Sequence, residues 1–179
     1  VLYFNRTNIN DIAINITQDT TKIGIRDLYV RSIVRHHGTG IYAPSVYNLE
    51  LANVNVFGFY IGYDMRTYLS SITNSVAANN SCGWRFRNST ATAISASYAI
   101  DNNAFPGETN TYSGTGWYFE GGVYSSLTSC ASDSNDKGYA FVGTDTCEWA
   151  FLGTGAECCG TTLYVDNPSA VLNIKSFSI

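Results

Sequence analysis

Apolar and polar residues alternate along several stretches of the chain, which is the pattern of β-strands that bury one face. The clearest stretches are 12–17 (IAINIT), 22–30 (KIGIRDLYV), 47–62 (YNLELANVNVFGFYIG) and 171–179 (VLNIKSFSI). No long segment has the 3.6-residue period of an amphipathic helix, and Gly, Asn, Ser, Thr and β-branched residues dominate. The pattern therefore predicts an all-β protein built from short strands.

One segment of the sequence is repeated further along the chain, which indicates a repeat architecture. The stretch LSSITNSVAANNSCGWRF at 69–86 is echoed by YSSLTSCASDSNDKGYAF at 124–141. A looser copy, TAISASYAIDNN at 92–103, aligns when Ile94 is placed on Ile72 and Asn102 on Asn80. The echo predicts that equivalent residues lie over one another in successive repeats.

A short motif, glycine followed by an aromatic residue, any residue and an apolar residue, marks each repeat. It begins at residues 58, 83, 116 and 138, and the longest step contains an insert at 104–115 (AFPGETNTYSGT). Units of about 20–25 residues with three short strands are coils of a parallel β-helix. We predict a right-handed, single-stranded parallel β-helix that occupies 1–179 as one domain, and we expect this domain to be part of a longer chain.

Alternation within the motif predicts which side chains face the core. The second and fourth positions of each copy should form an internal stack, comprising Phe59, Ile61, Trp84, Phe86, Trp117, Phe119, Tyr139 and Phe141. The third positions should face outward, comprising Tyr60, Arg85, Tyr118 and Ala140. The rival fold, a β-sandwich, favours hairpins with Asn-Gly or Asp-Gly turns, and neither dipeptide occurs.

Composition narrows the class of partner. The 179 residues carry a net charge of −4, and only 13% are charged, against about 25% in an average soluble domain. Without a basic stripe to neutralise phosphates, we expect no nucleic-acid partner. No apolar run approaches the length of a membrane span, so we expect no membrane insertion. A neutral, polar and aromatic surface suits glycans.

The cysteines indicate the redox state of the compartment in which the protein assembles, and the sequence motifs indicate whether it binds a metal or a cofactor. The five cysteines are odd in number, and Cys158 and Cys159 are adjacent, which favours reduced thiols and assembly in a reducing compartment. The His, Cys and Asp residues lack the spacing of metal ligands. The chain also has no P-loop, dinucleotide-binding or Gly-x-Ser-x-Gly motif. We therefore predict no metal and no cofactor.

The SSLTS…N…G-[WY]-x-F coils, the Asn/Ser-rich turns, the low charge and the unpaired cysteines resemble the β-helical shaft of bacteriophage tailspikes over residues 21–179. The resemblance implies a receptor-binding protein of the phage tail that binds, and often cleaves, bacterial capsule or O-antigen. It also implies a homotrimer, assembled in the host cytoplasm, carried in the virion and active at the bacterial surface.

Glycoside hydrolysis needs two carboxyl groups that face one bond. Asp101 and Glu120 flank the insert, and Glu108 lies inside it beside Tyr112. Because an insert leaves the shaft as a lip where binding groups collect, these three acids are the candidate catalytic residues. The alternative interpretation makes Asp101 a turn residue and Glu120 a solvated strand end.

Aromatic and cationic side chains supply the candidate substrate contacts. Tyrosine rings stack on the apolar faces of sugars, and the candidates are Tyr60, Tyr112 and Tyr118. Arg85, expected between Tyr60 and Tyr118 in the outward column, could bind the carboxylate of an acidic sugar. Trp84 and Trp117 should instead be core residues.

The sequence also leaves other functions open. A lyase would need a base and a carboxylate-neutralising group, which Arg35 with His36 or His37 could supply, although a polar turn explains that segment as well. A depolymerase of the tailspike type is the first hypothesis. The alternatives are a non-catalytic trimeric shaft or adhesin and a secreted β-helix enzyme of the pectinase kind, which predicts oxidised cysteines.

Overall fold

The computed structural model describes residues 1–17 and 22–179, and these form twenty β-strands and no helix. The strands of the first half are β1 (Leu2–Phe4), β2 (Ile12–Asn15), β3 (Ile23–Ser32), β4 (Thr39–Tyr47), β5 (Leu49–Phe57), β6 (Ile61–Tyr68), β7 (Ser71–Thr73), β8 (Val76–Ala78), β9 (Cys82–Arg87) and β10 (Ala93–Ser95). Those of the second half are β11 (Tyr98–Ile100), β12 (Thr115–Glu120), β13 (Gly122–Thr128), β14 (Ala131–Asp133), β15 (Lys137–Val142), β16 (Cys147–Leu152), β17 (Thr154–Glu157), β18 (Thr161–Asp166), β19 (Ala170–Ile174) and β20 (Phe177–Ser178).

Every pairing between these strands is parallel. One sheet has seven strands in the order β18-β15-β12-β9-β6-β4-β2. The other has thirteen, and the long strand β5 joins its two halves by pairing with β7 at one end and β8 at the other. The chain therefore winds through about seven coils with three faces. The parallel β-helix prediction is confirmed, and the sandwich is wrong.

Two aromatic ladders fill the coils behind the seven-stranded sheet. Tyr63, Trp84, Trp117 and Tyr139 lie nearly parallel, with ring centroids 3.7, 5.0 and 6.3 Å apart. Beside them, Phe86 and Phe119 are 5.7 Å apart, and Phe119 and Phe141 are 4.7 Å apart. All seven side chains are fully buried. Trp84 and Trp117 are core residues as predicted, because parallel stacking sets like residues over one another.

The sequence motif at residue 58 is out of register, so the prediction for that coil is wrong. Trp84 pairs with Tyr63, so the equivalent glycine is Gly62 rather than Gly58. Gly58 has a φ of +83° and lies in the bend between β5 and β6, a conformation that glycine adopts freely. Phe59 is buried and contacts Phe4, outside the Trp84 ladder.

The register also corrects the predicted outward column. Ile61 packs in a smaller cluster on the outer side of the sheet, not in the internal stack. The residue that precedes Arg85 in the outward column is Asp64, not Tyr60. Elsewhere the predicted alignment holds, since Ile94 lies over Ile72.

The corners of the coils explain the abundance of Asn and Ser. Fifteen of the described residues other than glycine have positive φ, most of them at these corners: Asp27, His36, Asn48, Asn53, Leu69, Asn74, Asn79, Asn88, Ala91, Ala96, Asp101, Tyr124, Ser129, Ser134 and Cys158. Asn and Asp tolerate this left-handed backbone better than most residues. Each corner lies over its equivalent in the next coil, as when Asp101 N–H donates to the carbonyl of Asp133.

A buried polar residue follows many of these corners and binds the backbone of the preceding coil. At the corner before the seven-stranded sheet this residue is asparagine. The Oδ1 atoms of Asn80, Asn102 and Asn135 accept the N–H groups of Phe59 (2.8 Å), Asn80 (3.1 Å) and Asn102 (2.7 Å). The predicted overlay of Asn102 on Asn80 is confirmed. Ser70, Ser75, Ser97 and Ser125 bind the preceding coil in the same way at the other corners.

The five cysteines all lie within the described residues and are free thiols. Cys82, Cys130 and Cys147 are buried, and burial raises the pKa of the Cys130 and Cys147 thiols to about 11. Among the residues that the structure describes, no helix is long and apolar enough to span a membrane.

Candidate functional site

The insert at 104–115 folds back over the outer face of the seven-stranded sheet. Asn110 donates a short hydrogen bond to the hydroxyl of Tyr60, and the hydroxyls of Thr111 and Tyr118 are 2.8 Å apart. Lys137 Nζ, from β15, donates to the backbone carbonyl of Thr111 at 3.1 Å. The expectation of a projecting lip is therefore wrong, because these hydrogen bonds hold the insert down on the sheet.

The insert covers the tyrosines that the sequence suggests for sugar stacking. Tyr60 and Tyr118 face outward from the sheet, but they are only 4% and 1% exposed. The ring of Tyr112 lies against both, with centroids 5.8 and 5.9 Å away. Two of the three predicted stacking residues are thus almost fully buried, although Tyr118 lines the main cleft and Tyr60 the smaller cleft described below.

Glu108 anchors the insert and lines neither of the two clefts described below. Its carboxylate accepts hydrogen bonds from Ser81 Oγ at 2.7 Å and from the N–H of Phe105 at 3.0 Å. Ser81 Oγ is also 2.6 Å from Nδ1 of His36, whose ring lies 4.8 Å from that of Phe105. The hydrogen bonds of Glu108 are those of a structural anchor for the insert.

Burial lowers the pKa of His36, with Arg35 and His37 adding to the effect and Glu108 opposing it. His36 lies at a coil corner and has a φ of +59°. Its hydrogen bond to Ser81 ties this corner to the insert. This supports the polar-turn interpretation of the segment that contains both histidines.

The main cleft lies beside the insert on the outer face of the same sheet. It has a volume of about 920 Å³ and is lined by residues of β4, β6, β9, β12, β15 and β18. Insert residues 109–111 line it together with the turn at 142–145. Its charged lining residues are Arg66, Arg87, Glu120, Lys137, Asp145 and Asp166. It is a surface groove that is open to solvent and not a closed cavity.

A charged network lies between the main cleft and the insert. Arg85 Nη2 is 3.0 Å from Glu120 Oε2, and Arg85 Nη1 is 3.9 Å from Asp64 Oδ2. Arg87 Nε lies 2.8 Å from Asp64 Oδ1. The Arg85 guanidinium also lies 4.7 Å from the centre of the Tyr112 ring, within cation–π range. Arg85 is thus paired with two carboxylates, and its contact with an acidic sugar remains a prediction.

Asp64 is the most buried carboxylate of this network, at 6% exposure. Burial raises its pKa, and the charges of Arg87 and Arg85 partly offset that effect. Asp64 faces a second, smaller cleft on the other side of the insert, of about 410 Å³, which Tyr42, Tyr60 and Tyr112 also line. Asp64 and Glu120 therefore open onto different clefts.

Register places a second carboxylate in the same outward column as Glu120, and both line the main cleft. Phe119 pairs with Phe141, and Val142 pairs with Asp166, so Glu120, Val142 and Asp166 occupy one outward column. Two strand spacings separate Glu120 from Asp166, about 9.6 Å along the solenoid. Side chains of this length can bring the carboxyl groups within the roughly 6.5–9.5 Å typical of inverting glycosidases.

The predicted catalytic residues do not come together. Asp101 is an exposed corner residue outside both clefts, which is the turn interpretation given above. Only Glu120 lines the main cleft. Sequence reasoning missed Asp64 and Asp166, although alternation in the correct register identifies both as outward-facing. Within the part of the chain that the structure describes, no group of three or more His, Cys, Asp or Glu side chains is arranged to hold a metal ion.

Comparison with known proteins gives a weak likeness to a solved structure. A scan against protein-family models and a search of curated proteins find no match. Among solved structures, the crystal structure of pectate lyase Pel9A matches with a TM-score of 0.35 and 12% sequence identity. The match covers 85% of this chain and 56% of that one, so the chain spans little more than half of the pectate lyase.

Proposed function

We propose that this chain is part of a tailspike-like receptor-binding protein that binds bacterial surface polysaccharide, either capsule or O-antigen, in the main cleft. The observation that carries the proposal is the cleft itself, a groove across six neighbouring strands of the solenoid. Its lining mixes charged side chains of both signs with Asn, Thr and Tyr. Such a lining offers hydrogen-bond donors and acceptors to sugar hydroxyls along an extended chain.

Cleavage of the bound polysaccharide is the second part of the proposal. Glu120 and Asp166 are the carboxyl pair that the register favours for an inverting hydrolysis, in which one group protonates the leaving oxygen and the other activates water. Arg85 holds the Glu120 carboxylate through two hydrogen bonds, at 3.0 and 3.2 Å. A fixed carboxylate in a groove is what such a reaction requires.

The test uses purified capsular and O-antigen polysaccharides from a panel of bacteria. Binding is measured by affinity electrophoresis, and cleavage by the appearance of new reducing ends. Glu120→Gln and Asp166→Asn should each lower the cleavage rate by about 10²- to 10⁴-fold, the usual contribution of a general acid or base. Both variants should still bind the polysaccharide.

Asp101→Asn is the matched control, because Asp101 lies outside the cleft and asparagine occupies the equivalent corner at Asn79. This variant should cleave at the wild-type rate. Cleavage that survives in both Glu120→Gln and Asp166→Asn would contradict the catalytic assignment. Absence of binding to every polysaccharide of the panel would contradict the proposal as a whole.

A non-catalytic shaft or adhesin is the second candidate, and the ion pair between Arg85 and Glu120 favours it. A carboxylate already held by a guanidinium is less available to a substrate, while the stacked ladders suit a stiff spacer. This candidate predicts binding without new reducing ends. Homotrimer formation and a place in the virion remain part of the tailspike proposal, and sedimentation of the purified chain tests the trimer.

A further inference from the structure

A pair of stacked tyrosines, one exposed and one half-buried, lies at the ends of two strands of the seven-stranded sheet, where the sequence predicted no contact. Tyr47 ends β4 and Tyr68 ends β6, and the two residues are register partners. Their rings are stacked, with centroids 4.6 Å apart and an angle of 18° between the planes. Tyr47 is 54% exposed, in contrast to the enclosed Tyr60 and Tyr118. Tyr68 therefore supports one face of the Tyr47 ring, while about half of the Tyr47 surface stays accessible.

The pair adjoins the main cleft. Arg66 lines the cleft, and its guanidinium lies 5.8 Å from the centre of the Tyr68 ring. Pro44, three residues before Tyr47 on β4, also lines the cleft. Because Arg66 and Tyr68 are two residues apart on one strand, they share the outer face of the sheet. A polymer that leaves the cleft past Arg66 therefore meets the tyrosines next.

Exposed apolar side chains are otherwise rare in the middle of the solenoid. Of the described residues from β4 to β17, the large hydrophobic side chains that are exposed are Tyr47, Leu69, Phe105 and Tyr124. Phe105 belongs to the insert and packs on His36. Tyr47 is the member of this set that both stacks on a second ring and borders the cleft.

We infer that Tyr47, supported by Tyr68, forms a stacking subsite for one pyranose ring of the polysaccharide that lies in the main cleft. The inference rests on the proposed function and adds to it a residue that sets affinity without taking part in cleavage. An aromatic face matches the apolar C–H face of a pyranose, while its hydroxyl remains in water. Arg66 lies between the cleft and the subsite, within reach of the linking sugar.

The test measures the affinity of size fractions of capsular and O-antigen polysaccharide, prepared by partial acid hydrolysis, for four proteins. Tyr47→Ala should weaken binding of the long fractions by about 2- to 10-fold, the fold-change that corresponds to a single aromatic contact. Binding of the shortest fractions that still occupy the cleft should be unchanged. Tyr47→Phe keeps the ring and should bind within 2-fold of the wild type.

Tyr124→Ala is the matched control, since Tyr124 is an even more exposed tyrosine, at 80%, and does not line the cleft. It should bind every fraction as the wild type does. A thermal unfolding curve for each variant separates lost binding from lost stability. Wild-type affinity of Tyr47→Ala, or an equal loss in Tyr124→Ala, overturns the subsite while the cleft proposal stands. Failure of the wild type to bind any fraction overturns both.

Discussion

The two faces of the seven-stranded sheet are made by the same strands in the same register, yet they differ in almost every chemical respect. The inner face repeats one theme from coil to coil, with Tyr63, Trp84, Trp117 and Tyr139 in one ladder. The adjacent outer column reads Asp64, Arg85, Tyr118 and Ala140. Residues at equivalent positions must be similar only where their side chains pack in the interior. Residues on the outer face can therefore differ from one coil to the next.

The largest expected loss of stability comes from removing a ring from the inner aromatic ladder. Trp117→Ala should lower the free energy of unfolding by about 3–5 kcal/mol, since it leaves a cavity between Trp84 and Tyr139 that the rigid coils cannot close. Urea unfolding followed by circular dichroism measures the change. Trp117→Phe, which keeps an aromatic ring, should cost less. A loss below about 1 kcal/mol for Trp117→Ala would contradict the view that the ladder is close-packed.

The second largest loss of stability is expected on removal of a buried corner asparagine. Asn102→Ala removes the acceptor of both the backbone N–H and the side-chain amide of Asn80, at 3.1 and 3.0 Å. Buried donors left without partners should cost about 2–3 kcal/mol. The neighbouring Asn103 is exposed, so Asn103→Ala is the control and should change stability little. Equal effects of the two substitutions would show that the buried amides do not stabilise the coils.

His36, which is linked to the insert through Ser81 and Glu108, should make a smaller, pH-dependent contribution to stability. Because the pKa of His36 lies below 6.5 in the folded protein, the unfolded chain binds the proton first as the pH falls. Stability should therefore decrease as the pH falls below 6.5 towards the pKa of the folded state. Thermal unfolding between pH 7 and 5 measures this, and His36→Gln should reduce the slope. Identical slopes in wild type and variant would contradict the prediction.

The smallest expected change in stability is that of Glu120→Gln, the position next to the buried Phe119. The Glu120 side chain is 32% exposed, and its ion pair with Arg85 is partly solvated. Such a pair should contribute about 0–1 kcal/mol. Chemical denaturation in the buffer of the cleavage assay gives the comparison. A loss as large as that of Trp117→Ala would remove the distinction between the two faces.

The parts of the fold that recur could be predicted, because each copy of the motif constrains the others. Trp84 and Trp117 were placed correctly for this reason. The early coil was misaligned because Gly58 mimics the motif, whereas the chain enters the sheet four residues later at Gly62. The corner role of Asp101 was available as the alternative interpretation, since asparagine occupies the equivalent place at Asn79.

The outer face could not be predicted to the same extent, because its contacts join residues that occur once. Nothing in the repeat signals that Asn110 reaches the hydroxyl of Tyr60, and that hydrogen bond helps to close the insert over two predicted stacking residues. Glu120 was found from its place beside the insert. Asp166 was missed because its relation to Glu120 depends on the register two strands further along.

The direction of the corner hydrogen bonds has a consequence for biogenesis. In the described corner ladders, the backbone N–H of one turn donates to a side chain from the turn that follows it, as from Phe59 to Asn80 and from Asn80 to Asn102. During synthesis, which proceeds from the amino end, the corner N–H groups of the last coil made therefore lack these acceptors until the next coil is in place. Each added coil therefore supplies the side-chain acceptors that complete the corner of the coil before it.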